Sequence, residues 1–246
     1  MIPTGPPPRP GWRLGDWLTT EVDERRGATC ASCGAVAAEG PICPECGRIR
    51  PFRAGSDHWT VLGLDRRLDL DRADLERRFH GLNRRLHPDY FRLRSPEEQT
   101  ISLEASAAVN TAYRTLRDPV GRVEYLLELE GMGLGSAGQA KPPADLFEEI
   151  MELQEARMEL ATADPDEAPA LRARLEGART ELDARRAGAE QELTAIFPGW
   201  DTGDEATRRR LLGKMRDILA TRAYLRTVLR DLGAALTGQT ERGQTH

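Results

Sequence analysis

"RRLHPDYF", residues 84–91, decides how the chain is read. A proline at 88 disfavours helical geometry at the residue before it, so a helix arriving through Arg84, Arg85 and Leu86 has to end at His87. Upstream, "DRADLERRFHGLNRRLH" supplies that helix. Asp71 stands as its N-cap, and Asp74 and Glu76 occupy the early turns, where carboxylates suit the helix dipole. Leu75, Phe79, Leu82 and Leu86 recur at i, i+4, i+7 and i+11 as one apolar stripe. Arg77 and Arg84 fall nearly opposite that stripe, while Arg78 and Arg85 flank it. The spacing predicts a helix with a core side and a cationic side, ended by a turn that leaves His87 and Asp89 beside the cations. Taken alone, the three letters His-Pro-Asp describe an ordinary helix end with a proline stop.

The neighbours give the turn a setting. "DHWTVLGL", 57–64, reads as a short apolar helix. After a charged loop, "EEQTISLEASAAVNTAYRTLRDPVGRVEYLL", 97–127, places Ile101, Ala105, Ala108, Ala112 and Leu116 on a second helical stripe, with Val109 and Tyr113 beside it. Two antiparallel amphipathic helices are thus predicted, joined by a loop that opens at His-Pro-Asp.

That arrangement, from Asp57 to about Leu129, resembles the J domain of DnaJ-type co-chaperones. "VNTAYRTLRDPVGRVEYLLELEG" is similar to the corresponding stretch of the HscB family of iron–sulfur cluster biogenesis at Asn110, Ala112, Tyr113, Leu116, Asp118, Pro119, Arg122, Tyr125 and Leu126. "LFEEIMELQEARMEL", 146–160, resembles the first helix of that family's C-terminal domain. Tyr90 departs from the pattern, standing where the family often has Lys. The resemblance implies a co-chaperone that does no substrate chemistry itself. His87, Pro88, Asp89, Arg77, Arg78, Arg84 and Arg85 would dock on a DnaK-type (HscA-like) chaperone and promote its ATP hydrolysis. Phe147, Met151, Glu152, Glu155, Glu159 and Tyr224 would hold an IscU-like scaffold protein.

Composition bounds the alternatives. A chain of 246 residues exceeds one modest domain, and 39% hydrophobic with only 5% aromatic residues suits bundles built on Leu and Ala. A formal net charge of −5 weighs against nucleic acid and anionic lipid as partners. No apolar run approaches the roughly 20 residues that span a bilayer. "MIPTGPPPRPGWRLGDW" has no apolar signal-peptide core and is not acid-poor like a transit peptide, so the expectation is a soluble, cytoplasmic protein.

All four cysteines lie in "CASCG" and "CPECG": Cys30, Cys33, Cys43 and Cys46. Each C-x-x-C turn aims two sulfurs at one point and is closed by a glycine, and two such turns complete a tetrahedral sulfur shell for Zn²⁺ or a rubredoxin-type iron. A structural site needs no redox function, which favours zinc. The apolar sequence around it is too thin for an independent core, so the metal is expected to supply most of this segment's folding energy. Arg48, Arg50 and Arg53 beside it read as a solvated rim.

Beyond "GMGLGSAGQAKPPA" helical periodicity resumes. Leu146, Ile150, Leu153 and Leu160 share a core face. Glu148, Glu152, Glu155 and Glu159 form an acidic stripe far around the same helix. Phe147, Met151 and Met158 lie between, either widening the apolar face or forming an exposed strip. A second helix should start near Pro165 or Pro169, capped by Asp164, and run to Phe197 on Leu171, Leu175, Ala178, Leu182, Ala189, Leu193 and Ile196. After a break at "PGWDTGD", a third carries Leu211, Met215, Ile218, Leu225, Leu229, Leu232 and Leu236, interrupted by Arg222, for which snorkelling or an acidic partner is expected.

The reading is therefore all-α: an extended or disordered tail (1–27), a tetracysteine zinc knuckle or ribbon (28–52), a J-domain hairpin (57–131), a linker (132–144), a three-helix bundle (145–237) and a disordered tail (238–246). Two other readings are a zinc-containing nucleic-acid-binding regulator and a general J-protein with a different client. A hydrolase built on His87 and Asp89 is set aside, because residues flanking a proline are poorly placed for a relay and neither a phosphate loop nor a nucleophile elbow is present.

Overall fold

The computed structural model describes residues 30, 32–35, 40–133 and 146–237. The expected tails, and all but the first two residues of the expected linker, lie outside the described residues. A short helix, α1 (His58–Val61), is capped by Asp57, whose Oδ1 accepts the Thr60 N–H at 2.8 Å. Next comes α2 (Arg72–Leu86), with Asp71 Oδ1 accepting the Ala73 N–H at 2.9 Å and His87 as its C-cap. Both ends fall where the sequence places them. A 3-10 turn, Pro88–Phe91, leads into α3 (Pro96–Arg117), which a Ser95–Glu98 capping box starts, and α4 (Pro119–Leu129) follows behind Asp118.

The α2–α3 hairpin closes on Leu75 and Leu86 from one side and Ala105, Val109, Ala112 and Leu116 from the other, all at most 2% exposed. Phe79 stacks on Tyr113 at its edge, ring centroids 4.1 Å apart. The buried line of α3 also carries Ser102 and Ser106, which the apolar stripe passed over.

The second half of the chain is α5 (Phe147–Thr162), α6 (Ala168–Ala195), α7 (Phe197–Thr202) and α8 (Glu205–Leu236). Asp164 does not cap α6 with its side chain as expected. Its main-chain carbonyl instead accepts the Glu167 and Ala168 N–H groups, each at 3.0 Å, turning the chain with no carboxylate at all. The predicted break after Phe197 is itself the short helix α7, which buries Trp200, and Asp204 then caps α8.

Two apolar clusters result. The smaller joins Leu146, just before α5, and Ile150, Leu153 and Ala156 of α5 to Leu175 and Leu182 of α6 and Leu225 and Leu232 of α8. The larger joins the hairpin, α1 and α4 to Leu193, Ile196, Phe197 and Trp200, and to Leu212, Met215, Ile218 and Leu219 of α8. The long helices α6 and α8 thus serve one core with each end. Arg222, the interruption in the α8 stripe, falls between the two clusters, and its Nε donates to Glu190 Oε1 at 2.7 Å. The acidic partner is the expectation that holds.

Polar atoms fix how the hairpin meets the helix ends. Arg122 is 6% exposed, donates to the Leu116 carbonyl from Nε (2.8 Å) and Nη2 (2.6 Å), and donates to the Leu68 carbonyl from Nη1. Burial pulls its pKa below the usual arginine value. Asp201, on α7, accepts the Leu68 N–H at 2.7 Å and the Asp69 N–H at 2.9 Å. The loop entering α2 is therefore held from both sides. Arg122→Met should strand two buried carbonyls and lower the unfolding free energy by about 2–5 kcal/mol, read as a drop in the urea midpoint. An unchanged midpoint would refute the structural weight given to this arginine.

Candidate functional site

Three sites are on the surface of this frame. At the hairpin tip, His87 is half-exposed and Asp89 is 71% exposed at the side chain. The chain leaves helical geometry at His87 (φ −59°, ψ 129°), as Pro88 requires. His87 Nδ1 accepts the Asp89 N–H at 3.3 Å, so in the neutral ring the proton sits on Nε2. The Asp89 carboxylate lies 3.5 Å from the same nitrogen. Phe91 turns inward and pins the 3-10 turn to the core, while Tyr90 projects outward. Both polar groups of the tripeptide thus face solvent.

The four arginines of α2 divide into two pairs. Arg77 and Arg78 both bind Asp74, the latter at 2.7 Å, and Arg78 also donates to the Gly63 carbonyl. Arg84 and Arg85, next to the turn, have no ion-pair partner among the described residues. The cationic face is therefore strongest beside His87 and partly neutralised one turn and more upstream.

The second site is the sulfur cluster. Sγ of Cys30 lies 3.7 Å from Sγ of Cys46, Sγ of Cys33 lies 3.8 Å from Sγ of Cys43, and all four fall within 4.8 Å of one another. A tetrahedral ion with metal–sulfur bonds of about 2.3 Å sets its sulfurs about 3.8 Å apart, so the spacing fits. The two knuckles share one backbone frame: Gly34 N–H donates to the Cys30 carbonyl at 2.8 Å and Gly47 N–H to the Cys43 carbonyl at 2.9 Å. Both glycines are left-handed, φ 71° and 69°, a conformation that a Cβ would strain. Main-chain N–H groups of Ser32 and Cys33 hold the Cys30 thiol down at about 6, and that of Cys46 lowers Cys43. At Cys33 the Ala35 amide pulls downward, but desolvation and three neighbouring sulfurs outweigh it and raise the thiol to about 12. Four sulfurs this close cannot all ionise without a cation among them. The group can hold a metal ion. An antiparallel bridge, Ile42 to Ile49, closes the lobe, and Ile49 is buried in the larger core.

The third is the outer face of α5. Phe147, Met151 and Met158 are 53%, 44% and 63% exposed, so they form a strip and do not widen the core. The inward face is completed by Ala156 instead. With Gln154 the strip runs at i, i+4, i+7 and i+11, along the side of α5 where Gln154 and Arg157 meet Asp231 of α8 over a shallow cleft. Glu148, Glu152, Glu155 and Glu159 run parallel on the side facing α6, where Glu152 pairs with Arg174 at 3.3 Å. Glu155 and Glu159 have no ion-pair partner among the described residues. Tyr224 lies half-buried on α8 against the smaller core, and desolvation raises its pKa.

Sequence reasoning missed Ser102, Ser106, Arg122 as a buried brace, and Asp201. Two serines four apart inside an otherwise apolar stripe were the visible signal for the first pair.

A helical hairpin ended by an outward His-Pro-Asp turn, with a helical bundle packed on it, is of the J-like co-chaperone class. The chain is 30% identical to the iron–sulfur cluster co-chaperone protein HscB of Mus musculus over 192 residues, 76% of each chain, and 29% identical to that of Homo sapiens over the same span. It belongs to the HscB family of iron–sulfur cluster co-chaperones. An HscB homolog of Arabidopsis thaliana is 34% identical over 130 residues, about half of each chain. In fold the chain is similar to the crystal structure of human co-chaperone HscB, with a TM-score of 0.62 at 24% identity over 84% of this chain and 97% of that one. Chaperone HscB of Vibrio cholerae gives 0.50 at 21% identity, over 75% of this chain and all of that one. No family model matches. No helix among the described residues is long and apolar enough to cross a membrane.

Proposed function

We propose that the chain is a two-site adaptor that delivers an IscU-like scaffold protein to a DnaK-type (HscA-like) chaperone and stimulates that chaperone's ATPase. It performs no covalent chemistry itself. The observation that carries this reading is the outward turn: His87 and Asp89 stand exposed beside Arg84 and Arg85, offering an acceptor and a donor to a partner. A carboxylate of this kind makes a short, strong bond to a partner arginine once water is excluded. Arg84 and Arg85 beside it raise the association rate and set the orientation of encounter more than they add affinity.

The scaffold's place is the outer face of α5. An apolar strip edged by Glu155 and Glu159, which have no ion-pair partner among the described residues, suits a partner surface that is apolar at its centre and basic on one flank, with Glu152 and Tyr224 at the margins. Zinc is the ion assigned to the four sulfurs, as a closed structural site.

Reconstitution with a purified scaffold and a DnaK-type chaperone tests the reading. Phe147→Ala with Met151→Ala should weaken scaffold binding about tenfold or more, measured by titration calorimetry. Stimulation of the chaperone in the scaffold's absence should be unchanged, since both side chains lie away from the hairpin. Unchanged scaffold affinity would remove this face from the function.

A further inference from the structure

The end of α2 carries a hydrogen-bonding problem that its own sequence cannot solve. A helix leaves its last carbonyls without intrahelical partners. Here Pro88 has no N–H to offer, and the Tyr90 N–H goes to the His87 carbonyl at 3.0 Å, not to Leu86. Leu86 is wholly buried, so water does not supply the donor. Two hydroxyls from the facing helix do. Ser102 Oγ donates to the Leu86 carbonyl at 2.6 Å and Ser106 Oγ to the same oxygen at 2.9 Å, and a carbonyl oxygen has two lone pairs to accept both. Both serines are themselves buried, at 0% and 9% exposure. Serine or threonine within a helix ordinarily bonds back to its own preceding turn, as Thr100 does to the Pro96 carbonyl at 3.0 Å. Ser102 and Ser106 cross to another helix instead, and their common acceptor is the residue immediately before His87.

We infer that Ser102 and Ser106 are positioning residues for the His87–Pro88–Asp89 turn, a two-hydroxyl clamp that sets its depth and direction against α3. The claim rests on the turn being the chaperone-docking element. Neither serine reaches the surface that a partner would touch. They act through the Leu86 carbonyl on the peptide that carries His87. Without them that carbonyl is a buried acceptor with no donor, and the chain relieves it by lifting the turn toward water. The docking geometry then becomes a minor conformer, and apparent affinity falls by the fraction of molecules that keep it. The maximal effect at saturation is untouched, because the docked state is the same.

The test is the double variant Ser102→Ala/Ser106→Ala in the full chain, titrated into a DnaK-type chaperone under single-turnover ATPase conditions. The half-saturating concentration should rise about tenfold with the same plateau, while scaffold binding and helical content stay at wild-type values. Ser106→Thr alone, which keeps both hydroxyls, should stimulate like wild type. A folded double variant that half-saturates at the wild-type concentration overturns the clamp, and so does one that loses plateau alone. Should the double variant not fold, Ser106→Ala, which leaves the Leu86 carbonyl one of its two donors and so loosens the clamp in part, serves with a readout that needs no partner: hydrogen exchange at the Tyr90 amide should accelerate while amides in the middle of α2 and α3 keep their protection. No change at Tyr90 overturns the proposal. The wild-type control separates the two claims, since wild-type protein that stimulates no DnaK-type ATPase refutes the docking reading, whereas the Tyr90 exchange still decides whether the serines hold the turn.

Discussion

Asp89→Asn should abolish stimulation of a DnaK-type ATPase at concentrations where the wild-type chain saturates it, and His87→Gln should do nearly the same. The carboxylate is 71% exposed and supports no buried contact, so removing its charge leaves the hairpin as it was. On the docking proposed above, what is lost is one half of a desolvated charge pair with the partner, a cost of about 2–5 kcal/mol, or thirty-fold to several-thousand-fold in affinity. His87→Gln removes the ring nitrogen that accepts the Asp89 N–H and so loosens the carboxylate it orients. Single-turnover ATP hydrolysis by the chaperone, with circular dichroism as the folding control, reads both. Full stimulation by a folded Asp89→Asn protein would refute the role given to the turn. Arg84→Ala with Arg85→Ala is the useful contrast, because it should lower the association rate and flatten its salt dependence without removing stimulation at saturation.

The second large effect concerns the metal. Purified protein should carry one ion per chain, zinc by elemental analysis and without visible absorption. Stripping it with a strong chelator, or replacing the buried ligand Cys43 with Ser, should unfold the lobe, since a structural tetrathiolate site contributes on the order of 10 kcal/mol to its own folding. The damage should not stay local. Ile49 is 5% exposed within the core shared with the hairpin, and Ile42 and Phe52 pack against the same cluster. Releasing Ile49 alone forfeits roughly 1.5–3 kcal/mol of burial, enough to lower the hairpin's melting temperature by about 5 °C. Hydrogen exchange before and after chelation checks this. The amides of Gly34 and Gly47, bonded to cysteine carbonyls, should lose protection first. A lobe that keeps its protection without metal would show that apolar contacts, not the ion, hold it.

How much of this was legible in the chain depends on how far apart the interacting groups are. The stop of α2 at His87, its cap at Asp71, the break near Phe197 and the four sulfurs follow from contacts within a few residues, where proline geometry, capping and C-x-x-C spacing act directly. The exposure of Phe147, Met151 and Met158 did not follow. A wide apolar face and a narrow one with a separate strip give the same periodicity, and only the positions of α6 and α8 choose between them. Ala156, a small side chain outside the predicted stripe, is the residue that completes the buried face, at 1% exposure. Arg122 appeared among the residues that mark the family resemblance, but its work lies at the Leu68 carbonyl, 54 residues away, and the Asp201 contact to the same loop spans 133.

By itself the sequence determined the long helices, where the charged turn interrupts them, and that four cysteines stand at the spacing of one metal site. These are properties of short stretches, set by torsional preference and by the reach of one side chain. The tertiary structure alone decided that α6 and α8 divide their apolar faces between two cores, that α5 keeps an apolar strip uncovered, and that two serines secure the carbonyl before His87. Each depends on which distant surfaces meet. A buried hydrogen bond or a covered methyl group is specified by its partner, and no periodicity along one segment carries the identity of that partner.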